Sequence, residues 1–165
     1  MNKLINDKVV ALLNYRIQQE ETSSRLYEQM YLYLEDKGYV VAAQVWKKFA
    51  NEEMIHVQWA KDYLLAYGVK PELMDLDAPI CEFEDLYDIS KQSLEHEILI
   101  TEQCNNLASE ALKMNDHVLY SLAQKYLSEQ IEEMDKTQTI VDMFETFGNS
   151  PEANLLIDKK LKKFL

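Results

Sequence analysis

Six residues do most to limit the folds open to this chain. Gly38, Gly68 and Gly148, with Pro71, Pro79 and Pro151, are the only glycines and prolines among 165 residues. Both residue types interrupt helices, and all six fall between or beyond long stretches of helical apolar period. The spacing predicts four long helices, at about 5–36, 40–67, 84–114 and 117–147, and a short fifth at about 151–163. No segment sustains the period-two alternation of a strand. The expected class is all-α.

The connections set the expected topology. Lys37-Gly38 and Asn115-Asp116 are short turns, so each should join antiparallel neighbours. Residues 68–83 differ, because they hold a glycine, two prolines and no helical stripe. Extended at roughly 3.3 Å per residue, that stretch reaches about 50 Å. A helix of about 28 residues is roughly 42 Å long. The loop can therefore return the length of the bundle and start the third helix parallel to the second. Glu82, Glu84 and Asp85 suit the N-terminus of that third helix. Ser150-Pro151 suits the start of the fifth. The fifth helix is amphipathic, with Leu155, Leu156 and Leu161 against Asp158, Lys159 and Lys160. It is too short to stand alone, so it should pack on this subunit or another.

The second helix carries a polar break. Trp46, Phe49, Glu53, His56, Ala60, Tyr63 and Tyr67 recur at alternating steps of three and four, which is one helix face. The aromatic and small members mark it as the buried face. Glu53 and His56 stand on it as E-x-x-H. Burying an unpartnered ionised carboxylate costs several kcal/mol or more, and a bound metal is the economical compensation.

The other stripes repeat the break. Leu13, Glu20, Tyr27 and Leu34 share the first stripe. Ser93, Glu97, Ile100 and Cys104 lie on the third, and Tyr126, Gln130, Glu133 and Thr137 on the fourth. Each stripe has one glutamate, and each lies within about two residues of its helix's midpoint. Midpoints of packed helices of equal length sit at the same depth, so Glu20, Glu53, Glu97 and Glu133 should meet in one central layer. A lone buried glutamate or histidine reads as a satisfied core polar group. Four acids at matched depth with an i+3 histidine read as a metal site. Without metal they would repel, and some would keep their protons.

Hard carboxylate oxygens with few nitrogens suit Fe(II) or Mn(II). Four carboxylates balance two divalent ions, and Glu53 is the natural bridge. Glu52 lies about 100° around the helix from Glu53; Glu129 and Glu132 flank Gln130 and Glu133. A solvated helix surface would explain these three. Their depth beside the layer points instead to a more exposed cation site through which iron passes. Tyr27 reads either as a core tyrosine with a bonded hydroxyl or as a hydrogen-bonding or redox group beside the metals. Position alone does not make Met54 a haem ligand.

Composition excludes several classes. With 47% apolar residues the chain is globular, and residues 1–165 are read as one domain. A net charge of −12 argues against nucleic acid or an anionic membrane as partner. No apolar run approaches the roughly 20 residues of a membrane span. Residues 1–7 turn charged at once, which predicts no signal peptide. Cys81 and Cys104 form no C-x-x-C motif, and a reduced cytoplasm is the expected location.

These residues resemble the bacterial non-haem ferritins over nearly the whole length. The likeness rests on Glu20-Glu21-Thr22-Ser23-Ser24 with Tyr27, Asn51-Glu52-Glu53-Met54-Ile55-His56, His96-Glu97 and Ser128-Glu129-Gln130-Ile131-Glu132-Glu133. It implies a ferritin-like four-helix bundle with a long crossover between helices two and three. It also implies a ferroxidase centre of two irons. Glu20, Glu53 and His56 would hold the first, and Glu53, Glu97 and Glu133 the second, with Gln130 alongside. Glu52, Glu129, Glu132 and Glu133 match the family's third iron site. The resemblance further implies a hollow shell of twenty-four subunits that stores ferric mineral, with the last helix at the four-fold axes. The second E-x-x-H of bacterioferritins is absent, since Gln130 and Glu133 stand at those positions, so no haem is expected.

The expected function is iron storage, with Fe(II) oxidised by dioxygen or hydrogen peroxide. The alternative is a non-storing di-iron or di-manganese oxidase or oxygenase of the same superfamily. A metal-free helical signalling or scaffold protein is the third reading; it would retain no iron after aerobic loading.

Overall fold

The computed structural model describes residues 5–165. Residues 1–4, which carry part of the signal-peptide expectation and the start of the expected domain, lie outside the described residues.

Helix ends follow local chemistry. The Asn6 side chain accepts from the Lys8 amide at 2.8 Å and opens α1, Asp7–Lys37. This helix ends where Gly38 takes φ 81°. The Gly38 amide then donates to the Glu35 carbonyl, and the Tyr39 amide to that of Leu34. That left-handed closure satisfies two carbonyls the helix would otherwise leave bare. The same pattern closes α2, Val40–Ala66, around Gly68. It also closes α3, Leu86–Lys113, around Asn115 at φ 53°. Asp116 accepts from the Leu119 amide at 2.9 Å and starts α4, His117–Phe147. Ser150 caps α5, Pro151–Lys160, with proline in the first turn. A 3-10 turn, Leu161–Phe164, follows.

These spans differ from the sequence expectation by a few residues at most. Helix three begins at Leu86 rather than 84, because Asp85 is extended and caps the helix by accepting from the Asp88 amide at 2.8 Å. The fifth helix is shorter than 151–163, since its last turn tightens to 3-10. Among the described residues there is no strand, and no helix is long and apolar enough to cross a membrane.

The topology is the one the loop length allowed. Short turns make α1/α2 and α3/α4 into antiparallel hairpins. Between them residues 68–83 travel along α1. The Glu72 amide donates to Asn14 at 3.1 Å, Gln18 to the Asp75 carbonyl at 2.8 Å, and the Tyr33 hydroxyl to the Glu84 carbonyl at 3.0 Å. The chain thus reaches the far end of α1 before α3 begins. At the other end Lys8 of α1 pairs with Glu110 of α3. So α3 runs antiparallel to α1 and parallel to α2.

The fifth helix packs on its own subunit. Asp158 accepts from the Ala42 amide at 2.8 Å, which caps α2 from outside, since Tyr39 provides no side-chain cap there. Ile157 and Leu161 join the core formed by Leu34, Trp46, Leu86 and Phe144. A second core gathers Leu13, Ile17, Val57, Leu64, Leu107 and Leu119 at the opposite end of the bundle. A polar layer separates the two.

Candidate metal centre

That layer contains every acid of the four stripes. Glu20, Glu53, Glu97 and Glu133 are each between 1% and 4% exposed, as are His56 and Gln130. Midpoint matching therefore brings the expected residues to one depth. Their side chains do not all face one another, however.

Among the described residues, one group of His, Cys, Asp or Glu places ligand atoms within 4.8 Å of each other: Glu20, Glu53 and His56. His56 Nδ1 lies 3.2 Å from Glu53 Oε2 and 3.7 Å from Glu20 Oε2. The i+3 spacing on α2 puts Glu53 and His56 one above the other, and α1 supplies Glu20 across the hairpin. The Tyr126 hydroxyl donates to the His56 carbonyl at 2.6 Å, and the Trp59 ring lies 4.8 Å from the imidazole. These contacts hold this part of α2 in place.

Glu97 and Glu133 do not join the group. Glu97 accepts from the Tyr27 hydroxyl on one oxygen and from Gln130 at 2.9 Å on the other. Glu133 pairs with Lys136 at 2.9 Å. Tyr27, read from sequence by its distance from Glu20, thus meets Glu97 across the bundle. Gln130 is likewise a partner of Glu97.

The outer acids form a rim. Glu52 and Glu129 are half-buried and Glu132 is exposed. With His56, Glu133 and Lys136 they line a cavity of about 230 Å³ that opens from the layer to the surface. Lys136 reaches Glu52 at 3.6 Å as well as Glu133. The position next to the layer is therefore acidic, as expected, but it contains an ammonium group.

Two cations in the layer escaped the sequence reading. Arg16 is 2% exposed, and its Nε lies 2.9 Å from Glu20 Oε1. A stripe read at steps of three and four through Leu13, Arg16, Glu20, Ser23 and Tyr27 would have included it. The other is Lys136, three residues beyond Glu133. His96 also lies at this level, with Nε2 2.7 Å from Ser23 Oγ. Its place immediately before Glu97 was the available signal.

Burial and charge act against each other across the layer. Burial acts to raise Glu20, but Arg16, with His56 and Glu53, outweighs it and holds the carboxyl at about 2. Burial acts to lower His56, yet Glu20 and Glu53 raise it to about 10. Burial raises Glu53 well above the carboxylate range and brings Glu97 to about 7. It also raises Glu133, against the pull of Lys136, and lowers His96 to about 4. Arg16 and Lys136 each pair with one acid of the layer, and His56 lies between Glu20 and Glu53. Glu20 Oε1 meets the Arg16 guanidinium at 2.9 Å, and Oε2 is buried with the His56 ring 3.7 Å away and no hydrogen bond. Buried anionic oxygens so placed, with an imidazole beside them, suit a hard or borderline divalent cation, whose charge would replace the imidazolium proton.

The sequence model of the family described as Ferritin, ferritin-like domain, matches residues 10–147. A bacterial non-heme ferritin of Escherichia coli O6:H1 is 32% identical over 158 residues, covering 96% of each chain. A probable bacterial non-heme ferritin-like protein of Haemophilus influenzae is 31% identical over 158 residues, again covering 96% of each chain. An open pore ferritin from the archaeon Archaeoglobus fulgidus superposes with a TM-score of 0.92 at 27% identity, covering 96% of this chain and 98% of that one. The matched segment reaches all four long helices and takes in the whole polar layer, and the chain belongs to the ferritin-like domain family, alongside the bacterial non-haem ferritins.

Proposed function

We propose that the protein stores iron and oxidises Fe(II) on the way. The observation that carries this reading is the buried Glu20–Glu53–His56 group, enclosed between two apolar halves of the bundle. Iron is substrate and cargo here. Glu20, Glu53 and His56 take one Fe(II). Glu53, Glu97 and Glu133 take the second, with Gln130 beside it. Glu53 bridges the pair. The first ion takes the place of the His56 imidazolium proton, and the second of a proton that burial favours on Glu97.

The pair of Fe(II) ions gives two electrons to dioxygen, which takes two protons and leaves as hydrogen peroxide. With peroxide as oxidant, two electrons and two protons give water. The protein's part is to fix the coordination of both ions and leave room for the oxidant. Tyr27 orients Glu97. Fe(III) then moves past Glu52, Glu129 and Glu132 into the cavity of a shell of twenty-four copies, where hydrolysis releases protons and mineral grows. The cytoplasm is the setting that the cysteine usage and the family suggest.

Glu53→Ala and His56→Ala test the centre. Both are expected to fold and to lose fast Fe(II) oxidation, followed by ferric absorbance after mixing with oxygenated buffer. Wild-type rates in both would sink the assignment. Storage has its own test, since a monomer or dimer on size-exclusion chromatography excludes a shell.

A further inference from the structure

The layer contains more cation than a plain four-glutamate site. Arg16 occupies one side of Glu20 at 2.9 Å, and Lys136 one oxygen of Glu133 at 2.9 Å. With all four carboxylates ionised and His56 neutral, as when metal is bound, these two side chains leave a formal charge of −2, the complement of one divalent ion rather than two.

The two cations differ in freedom. Arg16 is 2% exposed, and its NH1 also lies 3.8 Å from Cys104 Sγ. It has nowhere to go. Lys136 has a quarter of its side chain exposed and projects into the cavity that opens to the surface. An ordinary i,i+3 ion pair on a helix surface would look different. Glu133 is 4% exposed, and the ammonium also crosses from α4 to Glu52 of α2. Glu52 Oε2 is itself buried without a hydrogen bond. Lys136 therefore stands between the central layer and the outer acids.

Arg16 leaves Glu20 Oε2 facing His56, so an ion can bind there without disturbing either cation. On Glu133, Lys136 holds Oε1 and stands in the cavity through which an ion would arrive. A divalent ion and a cationic side chain sharing one carboxylate repel each other at either position, and of the two cations only Lys136 has room to move.

We propose that Lys136 is a resident cation of the centre, which holds Glu133 and Glu52 until a second divalent ion displaces it, so that the two metal positions fill in unequal steps. This rests on the reading of the layer as a two-metal centre. The first ion binds at Glu20, Glu53 and His56. The second arrives through the cavity and moves Lys136 outward. When that ion leaves, Lys136 returns and neutralises Glu133. The ammonium acts by position and charge, and contributes no chemistry to the oxidation.

Zn(II), which has no redox role, is the probe. Calorimetric titration of the assembled, metal-free protein should show one tight step and a second weaker by about tenfold or more. Lys136→Met keeps the length and removes the charge. It should tighten the second step by about tenfold or more and leave the first within about threefold. Lys136→Arg should retain the weak second step. His56→Ala should abolish the first. Anomalous diffraction of the wild type gives an independent reading: with one Zn(II) per chain Lys136 remains on Glu133, and with two it has moved away. Equal steps in the wild type, or a second step indifferent to Lys136→Met while the first still responds to His56→Ala, overturn the proposal and leave the two-metal reading standing. A first step indifferent to His56→Ala overturns both.

Discussion

Arg16 and Glu20 lie one turn apart on α1 and meet at 2.9 Å inside the polar layer, where neither is more than 2% exposed. The pair keeps Glu20 ionised in a place where burial alone would protonate it. On Glu53 and Glu97 burial prevails, and both are raised.

Breaking this pair should be costly. Arg16→Leu leaves a buried carboxylate without its cation and is expected to destabilise the metal-free protein by about 3–5 kcal/mol. Arg16→Leu combined with Glu20→Gln should cost less than Arg16→Leu alone, because no charge is then stranded. Denaturant unfolding of the three variants measures this, and a double-variant loss equal to the sum of the single losses would refute it.

Glu97 sets a pH dependence. Its folded value is about 7, against 4.5 for the free side chain. Below pH 4.5 both folded and unfolded chains carry the proton, and the group is neutral in its effect. As pH rises from 4.5 to 7 the unfolded chain loses the proton first, so folding is progressively disfavoured. The Tm of the metal-free protein should fall between pH 5 and pH 7.5, and Glu97→Gln should shrink that fall. An unchanged fall in the variant would place the effect elsewhere.

Tyr27 should act on Glu97 through its hydroxyl. That bond favours the ionised form, so Tyr27→Phe should push Glu97 further up. The expected result is a pH profile of Fe(II) oxidation displaced to higher pH, with a stability loss of about 1–2 kcal/mol for the buried hydrogen bond. A profile that only drops in height would reduce Tyr27 to a packing residue.

Asp158 ties α5 to the start of α2. Asp158→Ala should cost about 1 kcal/mol, as loss of a helix cap does, and should speed hydrogen exchange at the Ala42 amide. Unaltered protection at Ala42 would mean that the cap is dispensable.

Much of the fold was legible because its determinants are local. Asn6, Gly38, Gly68, Asp116 and Ser150 each end or begin a helix through contacts within a few residues. The small errors came from the same level: Asp85 caps α3 from outside it, and the last turn after Lys160 tightens to 3-10. The crossover was legible from length, since residues 68–83 have no helical stripe and can span the bundle.

The depth of the polar layer was also legible, because one glutamate stands near the middle of each of four similar helices. Helical period and helix length are enough to place Glu20, Glu53, Glu97 and Glu133 at one level, whatever the side chains then do. Who faces whom at that level is a different matter. It depends on rotamers chosen across helix interfaces: Glu97 turned to Tyr27 and Gln130, Glu133 drawn to Lys136, and Lys136 reaching from α4 to Glu52 on α2. A one-dimensional stripe gives each residue a height and a face but no partner. Burial adds the last ingredient. It makes unpaired charge expensive, and so only the packed bundle assigns Arg16 to Glu20 and sets Lys136 between Glu133 and Glu52.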